Sequence, residues 1–306
     1  MNKHILPVID SVSKVLVGKR NEVQLALACL LARGHLLIED IPGMGKTTLA
    51  QALAKVLGLE YNRVQFTSDL LPGDVIGSSI FNRKDSCFEF HPGPIFTQIL
   101  LADEVNRATP KTQSALLEAM AEGQVSVDGT THVLQQPFFV IATQNPERHG
   151  GTFPLPESQL DRFTMRLSLG YPDKDAERKI LLGEAGESQL VNMSSLLAKG
   201  ELAIMQRQVQ GVRLSDSVLD YIQRLLGASR RSPDISTGLS PRAAQALVSS
   251  AKAWAYISGR DYLIPEDVQT VFSSISDHRL RDAAYLLSAT GALSNAVLNS
   301  VDVLDG

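Results

Sequence analysis

The first half of the chain alternates short apolar segments with longer segments of helical periodicity. The helical segments cover residues 8–32, 47–57 and 110–122, and each repeats apolar positions at the spacing of a buried helix face. Between them lie four strand candidates: the apolar runs at residues 36–38, 99–102 and 138–142, and the alternating segment at 63–66. Strands that alternate with helices predict an α/β sandwich with a mostly parallel sheet.

Two further segments predict β-hairpins. Residues 77–91 carry apolar positions on both sides of a polar turn at 82–86. Residues 125–133 turn at Asp128-Gly129, a pair that is common in tight hairpins.

From about residue 173 onward, every strong pattern is helical, and we find no good strand candidate. Ser240-Pro241 marks one helix start, with a serine N-cap followed by a proline in the first helical position. We therefore expect an α/β domain at residues 1–172 and an all-α domain at residues 173–306.

Composition narrows the class of protein. The chain has 306 residues, of which 44% are apolar and 20% charged, and its net charge of −4 gives no general drive toward nucleic acids or membranes. The longest uninterrupted apolar run, residues 25–32, is far too short to cross a bilayer, and no N-terminal signal segment is visible. We expect a cytoplasmic protein, without membrane insertion or strong nucleic-acid binding, in which Cys29 and Cys87 are reduced core residues.

Residues 39–48 predict a phosphate-binding loop between a strand and a helix. Gly43 and Gly45 let the backbone wrap an anion at a helix N-terminus, where N–H groups and the helix dipole favour negative charge. Lys46 would reach the β- and γ-phosphates of a nucleotide, and the Thr47 hydroxyl would bind Mg²⁺. A glycine-rich helix cap with a surface lysine is the alternative, but the preceding strand and the following helix favour the phosphate site.

One position departs from the general loop pattern, which has glycine where this chain has Asp40. The rest of the loop is intact, and we interpret it as a variant of the same site. The predicted nucleotide contacts are Asp40, Ile41, Pro42, Gly43, Met44, Gly45, Lys46, Thr47 and Thr48.

Acidic and amide side chains follow two other predicted strands. Asp103 and Glu104 end the apolar run at 99–102, at the sheet edge where ligands bind in open α/β folds. Asp103 would hold Mg²⁺, directly or through water, and Glu104 would polarise the attacking water; a solvated acidic strand end is the alternative. Asn145 follows the run at 138–142 and would orient that water, unless Asn145-Pro146 only forms a turn.

Five motifs in this order resemble the MoxR family of AAA+ ATPases over essentially the whole chain. They are Pro-Gly-Met-Gly-Lys-Thr (42–47), Leu-Ala-Asp-Glu-Val-Asn-Arg-Ala (101–108), Ala-Thr-Gln-Asn-Pro (142–146), Leu-Pro-Glu-Ser-Gln-Leu-Asp-Arg-Phe (155–163) and Leu-Ser-Pro-Arg (239–242). The resemblance implies an AAA+ P-loop domain with a helix-2 insert at about 77–91, a pre-sensor-1 hairpin at about 125–133 and a helical lid. It also implies ring assembly, with ATP bound between subunits and both hairpins directed toward the pore.

The resemblance assigns further roles by position. Asn145 matches sensor 1, Arg242 matches sensor 2 on the lid, and Arg162 matches the arginine finger that reaches a neighbour's γ-phosphate. Gly18 matches the segment that lines the adenine pocket. Arg162 could instead be a structural arginine at a helix end, and Arg242 a surface residue, although a cation in the first turn of a helix opposes the helix dipole.

The sequence allows two alternative roles for each of three other basic residues. Arg107 could reach across a subunit boundary or form a salt bridge at a helix start. Arg83 and Lys84 fall in the predicted turn of the insert, where they are either solvated or in contact with a substrate.

We therefore predict a Mg²⁺-dependent ATP hydrolase that acts as a homo-oligomeric ring, expected to be a hexamer. The resemblance implies chaperone-like remodelling, maturation or metal insertion of partner proteins, with a von Willebrand factor A-domain protein as a candidate adaptor. A DNA-directed motor and a non-catalytic ATP-binding scaffold are the alternatives. The acidic balance argues against the motor, and the presence of Glu104 and Arg162 argues against the scaffold.

Overall fold

A parallel sheet of five strands forms the centre of the N-terminal half. The computed structural model describes residues 4–145, 151–283 and 291–303. The strands are β1 (Leu36–Glu39), β2 (Tyr61–Gln65), β3 (Gly77–Asn82), β4 (Cys87–Pro92), β5 (Ile99–Asp103), β6 (Gln124–Val127), β7 (Thr130–Val133), β8 (Phe139–Gln144), β9 (Met165–Leu167), β10 (Ile235–Thr237) and β11 (Arg281–Asp282). The sheet order is β2-β5-β8-β1-β9, with every neighbouring pair parallel.

Helices cover both faces of this sheet and make up most of the C-terminal half. They are α1 (Ile5–Val15), α2 (Arg20–Leu31), α3 (Lys46–Leu57), α4 (Pro72–Ile76), α5 (Pro110–Glu122), α6 (Glu157–Leu160), α7 (Lys174–Leu181), α8 (Glu187–Val191), α9 (Glu201–Gln210), α10 (Asp216–Arg231), α11 (Pro241–Ile257), α12 (Pro265–Ser276) and α13 (Ala292–Asn299). The architecture confirms the predicted α/β sandwich followed by a helical lid.

The central strands β1, β5 and β8 are apolar up to their last one or two residues because both faces of the sheet are buried. Leu37, Leu100 and Val140 point to one face, where they pack with α5. Their neighbours in sequence, such as Leu36 and Leu101, point to the other face and pack with α1, α2 and α3. This burial on both sides fixes the strand register, and with it the edge at which the strands end.

The prediction of a single helix at residues 8–32 is wrong. The structure has two helices, α1 and α2, separated by a turn at residues 16–19. Gly18 has a φ of +78°, and a Cβ there would lie 2.9 Å from the Cβ of Ala176. The helix stops because the chain must pass close to α7 in a backbone conformation that favours glycine.

Both hairpins form as predicted, β3–β4 and β6–β7, and they pack against each other. The rings of Phe90 and His132 stack with centroids 3.8 Å apart. Cys87, predicted to be a core residue, is exposed on β4, whereas Cys29 is buried. The prediction failed for Cys87 because a two-stranded hairpin that stands out from the sheet covers little of either face. Arg83 and Lys84 lie exposed at the turn.

The prediction that residues 173–306 contain only helices is wrong in one detail. In the lid, β10 and β11 pair as a short antiparallel ribbon. The predicted start of α11 is confirmed, since the Ser240 hydroxyl accepts a hydrogen bond from the N–H of Ala243. Within the described ranges, no helix is long and apolar enough to cross a membrane.

The buried apolar cluster is continuous between the two halves of the chain. It joins residues of α1, α2 and α3 to residues of α9, α10, α11 and α12. The Gln206 side chain adds a polar link, donating to the carbonyl of Leu30 at 2.9 Å. The boundary that we place between residues 172 and 173 is therefore a proposal about chain topology and not a gap between two separate cores.

Stability should depend on pH through His35. Its Nδ1 accepts from the N–H of Val140 at 3.0 Å, so Nε2 carries the proton toward the carbonyl of Met120 at 3.1 Å. Burial lowers the pKa of His35 from 6.5 to about 4. The unfolded chain therefore binds more protons between those values, and stability falls as the pH drops from 6.5 toward 4.

We expect His35 to contribute at most about 3 kcal/mol to this loss. The measurement is the free energy of unfolding in urea across that pH range, for the wild type and for His35→Asn, whose amide oxygen can replace Nδ1 as acceptor. Parallel pH curves for the two proteins would contradict the assignment.

Candidate nucleotide site

The phosphate loop spans residues 40–45 and joins β1 to α3. Gly43 and Gly45 have φ values of +86° and +90°, and open space surrounds Gly43 where a side chain would otherwise stand. The first N–H groups of α3 have no carbonyl within the helix to bind and point toward the loop. This concave row of N–H groups matches an anion such as a phosphate.

The nine residues predicted to bind nucleotide, 40–48, comprise the loop and the first turn of α3, and not all of them offer an N–H group to a ligand. The Asp40 N–H donates to the carbonyl of Gln144 at 3.3 Å, and the Ile41 N–H donates to Asp40 Oδ1 at 2.9 Å. Pro42 has no N–H. The donors suited to phosphate are therefore those from Gly43 to the first turn of α3.

Lys46 lies at the centre of the site. Its Nζ donates to the carbonyl of Asp40 at 2.6 Å and to Asn145 Oδ1 at 3.3 Å. Burial lowers the pKa of the Lys46 ammonium, while the carboxylates of Asp40, Asp103 and Glu104 partly offset that shift. The three carboxylates are thus near enough to Lys46 to favour the charged form of its side chain.

One oxygen of the Asp40 carboxylate is bound outside the loop. Its Oδ2 accepts from the N–H groups of Leu169 and Gly170, both at 2.7 Å, and from the Ser168 hydroxyl at 3.1 Å. The side chain of Asp40, predicted to line the nucleotide site, therefore bonds instead to the segment that follows β9.

The two acids at the end of β5 lie beside the ends of β2 and β8. Asp103 Oδ1 accepts from the Thr143 hydroxyl at 2.6 Å, and Asp103 Oδ2 pairs with Arg63 at 2.5 Å. The Thr143 hydroxyl also accepts from the N–H of Glu104 at 2.9 Å. Thr143 therefore holds both acids with one side chain.

Three donors fix the Glu104 carboxylate, and its backbone has a φ of +55°. Asn145 Nδ2 donates to Oε1 at 3.0 Å; Gln65 and Arg107 donate to Oε2 at 2.9 and 2.8 Å. Of the two roles considered for Arg107, the structure shows the salt bridge. Asn145 bridges Lys46 and Glu104, which brings together three residues predicted from separate motifs.

Sequence reasoning missed Arg63, Gln65 and Thr143. Arg63 and Gln65 lie at the end of β2, and only the strand order reveals that β2 is next to β5. A polar residue at the end of each strand was the available signal, since parallel strands end at the same edge. Pro146, which would complete the turn considered for Asn145, lies outside the described residues.

Arg162 follows α6, and its Nη1 donates to the carbonyl of Leu117 at 2.7 Å. The segment that carries it is clamped by Arg279 from the end of α12. Arg279 donates to Asp161 Oδ1 at 2.6 Å and to the carbonyl of Phe163 at 2.6 Å. Arg162 is therefore positioned by the lid as well as by the sheet domain.

The other two predicted positions lie in α11 and in the turn between α1 and α2. Arg242 is exposed in the first turn of α11, where the preceding Ser240 hydroxyl donates to Asp161 at 3.3 Å. Gly18 lies against α7, and the neighbouring Leu16 side chain lies close to Gly45, 3.6 Å from where its Cβ would stand. The turn that contains Gly18 thus forms one wall beside the phosphate loop.

The oxygen atoms near the loop are suitable ligands for a hard divalent cation. Thr47 in the first turn of α3 and Asp103 at the end of β5 offer a hydroxyl and a carboxylate, the oxygen ligands that Mg²⁺ prefers. Both Asp103 oxygens already accept hydrogen bonds, so its contact with Mg²⁺ would be shared with Arg63 and Thr143.

The fold and the site together define an AAA+ ATPase. Residues 35–165 match the family model described as "ATPase family associated with various cellular activities (AAA)", and residues 227–299 match that of the AAA lid domain. The phosphate loop, the acids of β5 and Asn145 all fall within the first match.

The chain belongs to the MoxR family. It is 48% identical to the uncharacterized protein YeaC of Bacillus subtilis over 89% of this chain and 85% of that protein. It is 38% identical to chaperone MoxR1 of Mycobacterium tuberculosis over 89% of this chain and 74% of that protein. A crystal structure of a candidate ATPase from Cytophaga hutchinsonii superposes with a TM-score of 0.89, at 38% identity, over 98% of this chain and 94% of that chain.

Removal of the Thr143 hydroxyl should damage the site without touching Lys46. Thr143→Val leaves Asp103 Oδ1 and the Glu104 N–H each without a partner, and we expect a loss of about 1–3 kcal/mol in unfolding free energy. ATP hydrolysis should fall while ATP affinity stays near that of the wild type. Thr143→Ser, which keeps the hydroxyl, is the matched control; wild-type turnover by Thr143→Val would rule out this role.

Proposed function

We propose that the protein hydrolyses ATP with Mg²⁺ at the interfaces of a homo-oligomeric ring, expected to be a hexamer. The observation that carries this proposal is the hydrogen-bonded chain Lys46–Asn145–Glu104, which joins the phosphate loop to a carboxylate. The phosphates would lie on the N–H groups of the loop, and Glu104 would polarise the attacking water with Asn145 as its orienting partner.

Thr47 and Asp103 would hold Mg²⁺, which supplies positive charge against the β- and γ-phosphates during transfer. Lys46 already bonds to neutral oxygens of Asp40 and Asn145, so it can turn to a phosphate without leaving another charge unpaired. Arg242 would contact the nucleotide from the lid, and the turn at Gly18 would line the adenine pocket.

We infer that the ring drives chaperone-like work on partner proteins, as the name of the MoxR1 relative suggests. The exposed hairpin β3–β4 supports contact with a protein substrate, because the Phe81 and Phe88 rings pair at its surface, 49% and 73% exposed. Maturation or metal insertion, with a von Willebrand factor A-domain protein as adaptor, is the form of this activity that we propose. The free thiols of Cys29 and Cys87 support a reducing, cytoplasmic setting.

Two substitutions should separate binding from hydrolysis. Lys46→Ala removes the cation from the phosphate loop and should abolish nucleotide binding. Glu104→Gln keeps the shape of the side chain and should bind ATP normally but stop turnover. Fluorescent-nucleotide titration and phosphate release measure the two steps; robust hydrolysis by Glu104→Gln would refute the role of Glu104.

Arg162 should act on the neighbouring subunit. Arg162→Ala should bind ATP nearly normally and hydrolyse it slowly, since an arginine supplied in trans is worth about 10³–10⁵ in rate in comparable enzymes. In mixed rings, an Arg162→Ala subunit can bind ATP while a Lys46→Ala neighbour lends its intact arginine, so part of the activity should return.

The mixing experiment needs proof of subunit exchange, for example by native mass spectrometry. If subunits exchange and no activity returns, while monomeric wild type hydrolyses ATP at the full rate, Arg162 is a structural arginine on the Leu117 carbonyl.

A further inference from the structure

Asp40 is the residue at which this loop departs from the general pattern, and its carboxylate is almost fully buried. The residue is 8% exposed. Its two oxygens accept four hydrogen bonds: one from Ile41 within the loop, and three from the segment Ser168–Gly170. A glycine at this position could adopt the same backbone conformation, but it would remove all four of these hydrogen bonds.

The segment that Asp40 holds is the connection to the lid. It follows β9, and Gly170 has a φ of +61° where the chain turns toward α7. One residue further on, the carbonyl of Tyr171 accepts from Lys19 at 2.8 Å. The lid helices therefore leave the sheet domain from a point whose backbone N–H groups are fixed by the Asp40 carboxylate.

The backbone of Asp40 is in contact with Lys46 at the same time. The Asp40 carbonyl accepts from Lys46 Nζ at 2.6 Å, and its N–H is tied to β8. A nucleotide phosphate would compete with that carbonyl for Lys46, because a charged acceptor makes the stronger hydrogen bond. Occupation of the phosphate site thus takes Lys46 away from the carbonyl of Asp40, a residue whose side chain holds the lid connection.

We propose that Asp40 is a positioning residue that couples phosphate binding at Lys46 to the angle of the lid. This inference rests on the proposed function, in that ATP must bind at the loop. Lys46 has two alternative acceptors, the Asp40 carbonyl and the phosphate. Its exchange between them shifts the Asp40 peptide, and the bonds of Asp40 to Leu169 and Gly170 carry that shift to the lid.

The test is the distance between a spin label on the sheet domain and one on the lid. Glu118→Cys on α5 and Asp220→Cys on α10 are exposed positions. Cys87→Ser removes the exposed native thiol; burial raises the pKa of the Cys29 thiol and keeps it unreactive. Labelled subunits are diluted with unlabelled ones, and the distance is measured with ADP and with a non-hydrolysable ATP analogue in wild type and in Asp40→Gly.

Asp40→Gly restores the general loop pattern, so ATP affinity should stay within about threefold of the wild type, while loss of the coupling should lower kcat by at least about fivefold. The difference in distance between the two nucleotide states should shrink in the same variant. Ser168→Ala, which removes one of the three contacts and keeps both N–H donors, should give an intermediate response. If Asp40→Gly does not fold, Asp40→Asn takes its place, since one amide atom cannot accept from Ile41 or from the lid connection.

The outcomes separate the two proposals. A wild type that fails to bind ATP defeats the proposed function. A wild type that binds ATP without any change in the lid distance defeats the coupling. An Asp40 variant with the wild-type distance change and the wild-type kcat also defeats it, and leaves Asp40 as a structural cap of the segment after β9.

Discussion

The parallel register of β1, β5 and β8 is the constraint on which the site depends. Because these strands are buried on both faces, their apolar side chains fix where each strand ends, and all three end at one edge of the sheet. The phosphate loop, the acid pair and Asn145 are simply the next residues along each chain segment. The Thr143 hydroxyl then locks two of the strands together by bonding to Asp103 and to the Glu104 N–H.

Local signals predicted the elements that have local causes. The helix predicted at 110–122 has those bounds in the structure because Thr109 caps its start and Gly123 ends it in a left-handed conformation. The break at Gly18 was missed because helical periodicity continues on both sides of it, and its cause is contact with α7, far along the chain. The ribbon of β10 and β11 was missed because strands of three and two residues have no measurable periodicity.

The site shows the same division. Lys46, Asp103, Glu104 and Asn145 were predictable because each stands at the end of an apolar strand or inside a phosphate-loop motif. Gln65 was not, since its contact with Glu104 depends on β2 lying next to β5, which no local pattern states. The direction of the Asp40 side chain was not predictable either, because three of its four partners lie about 130 positions later in the chain, and two of those three donate through their backbone N–H groups.

Asp103 and Glu104 differ in the side chains that hold their carboxylates. Asp103 bonds to the buried Thr143 of β8 and to Arg63 of β2, and its own side chain is less exposed than that of Glu104. Glu104 is held by three side chains, and two of them, Gln65 and Arg107, are exposed and can be exchanged for water at a small cost. In the proposed hydrolysis, Glu104 is thus the acid that can change partners during the cycle, and Asp103 is the one that stays.

Two of the polar links between the sheet domain and the lid are the contacts of Asp40 and of Arg279. Asp40 joins the phosphate loop to the start of the lid, while Arg279 joins the end of α12 to the Asp161–Phe163 segment that carries Arg162. Both links are buried, and a buried carboxylate or guanidinium is costly to separate from its partners. A rotation of the lid that keeps both links intact therefore costs less free energy than a rotation that breaks one of them. In a ring of the proposed kind, the nucleotide bound by one subunit would then move the arginine that the same subunit offers to its neighbour.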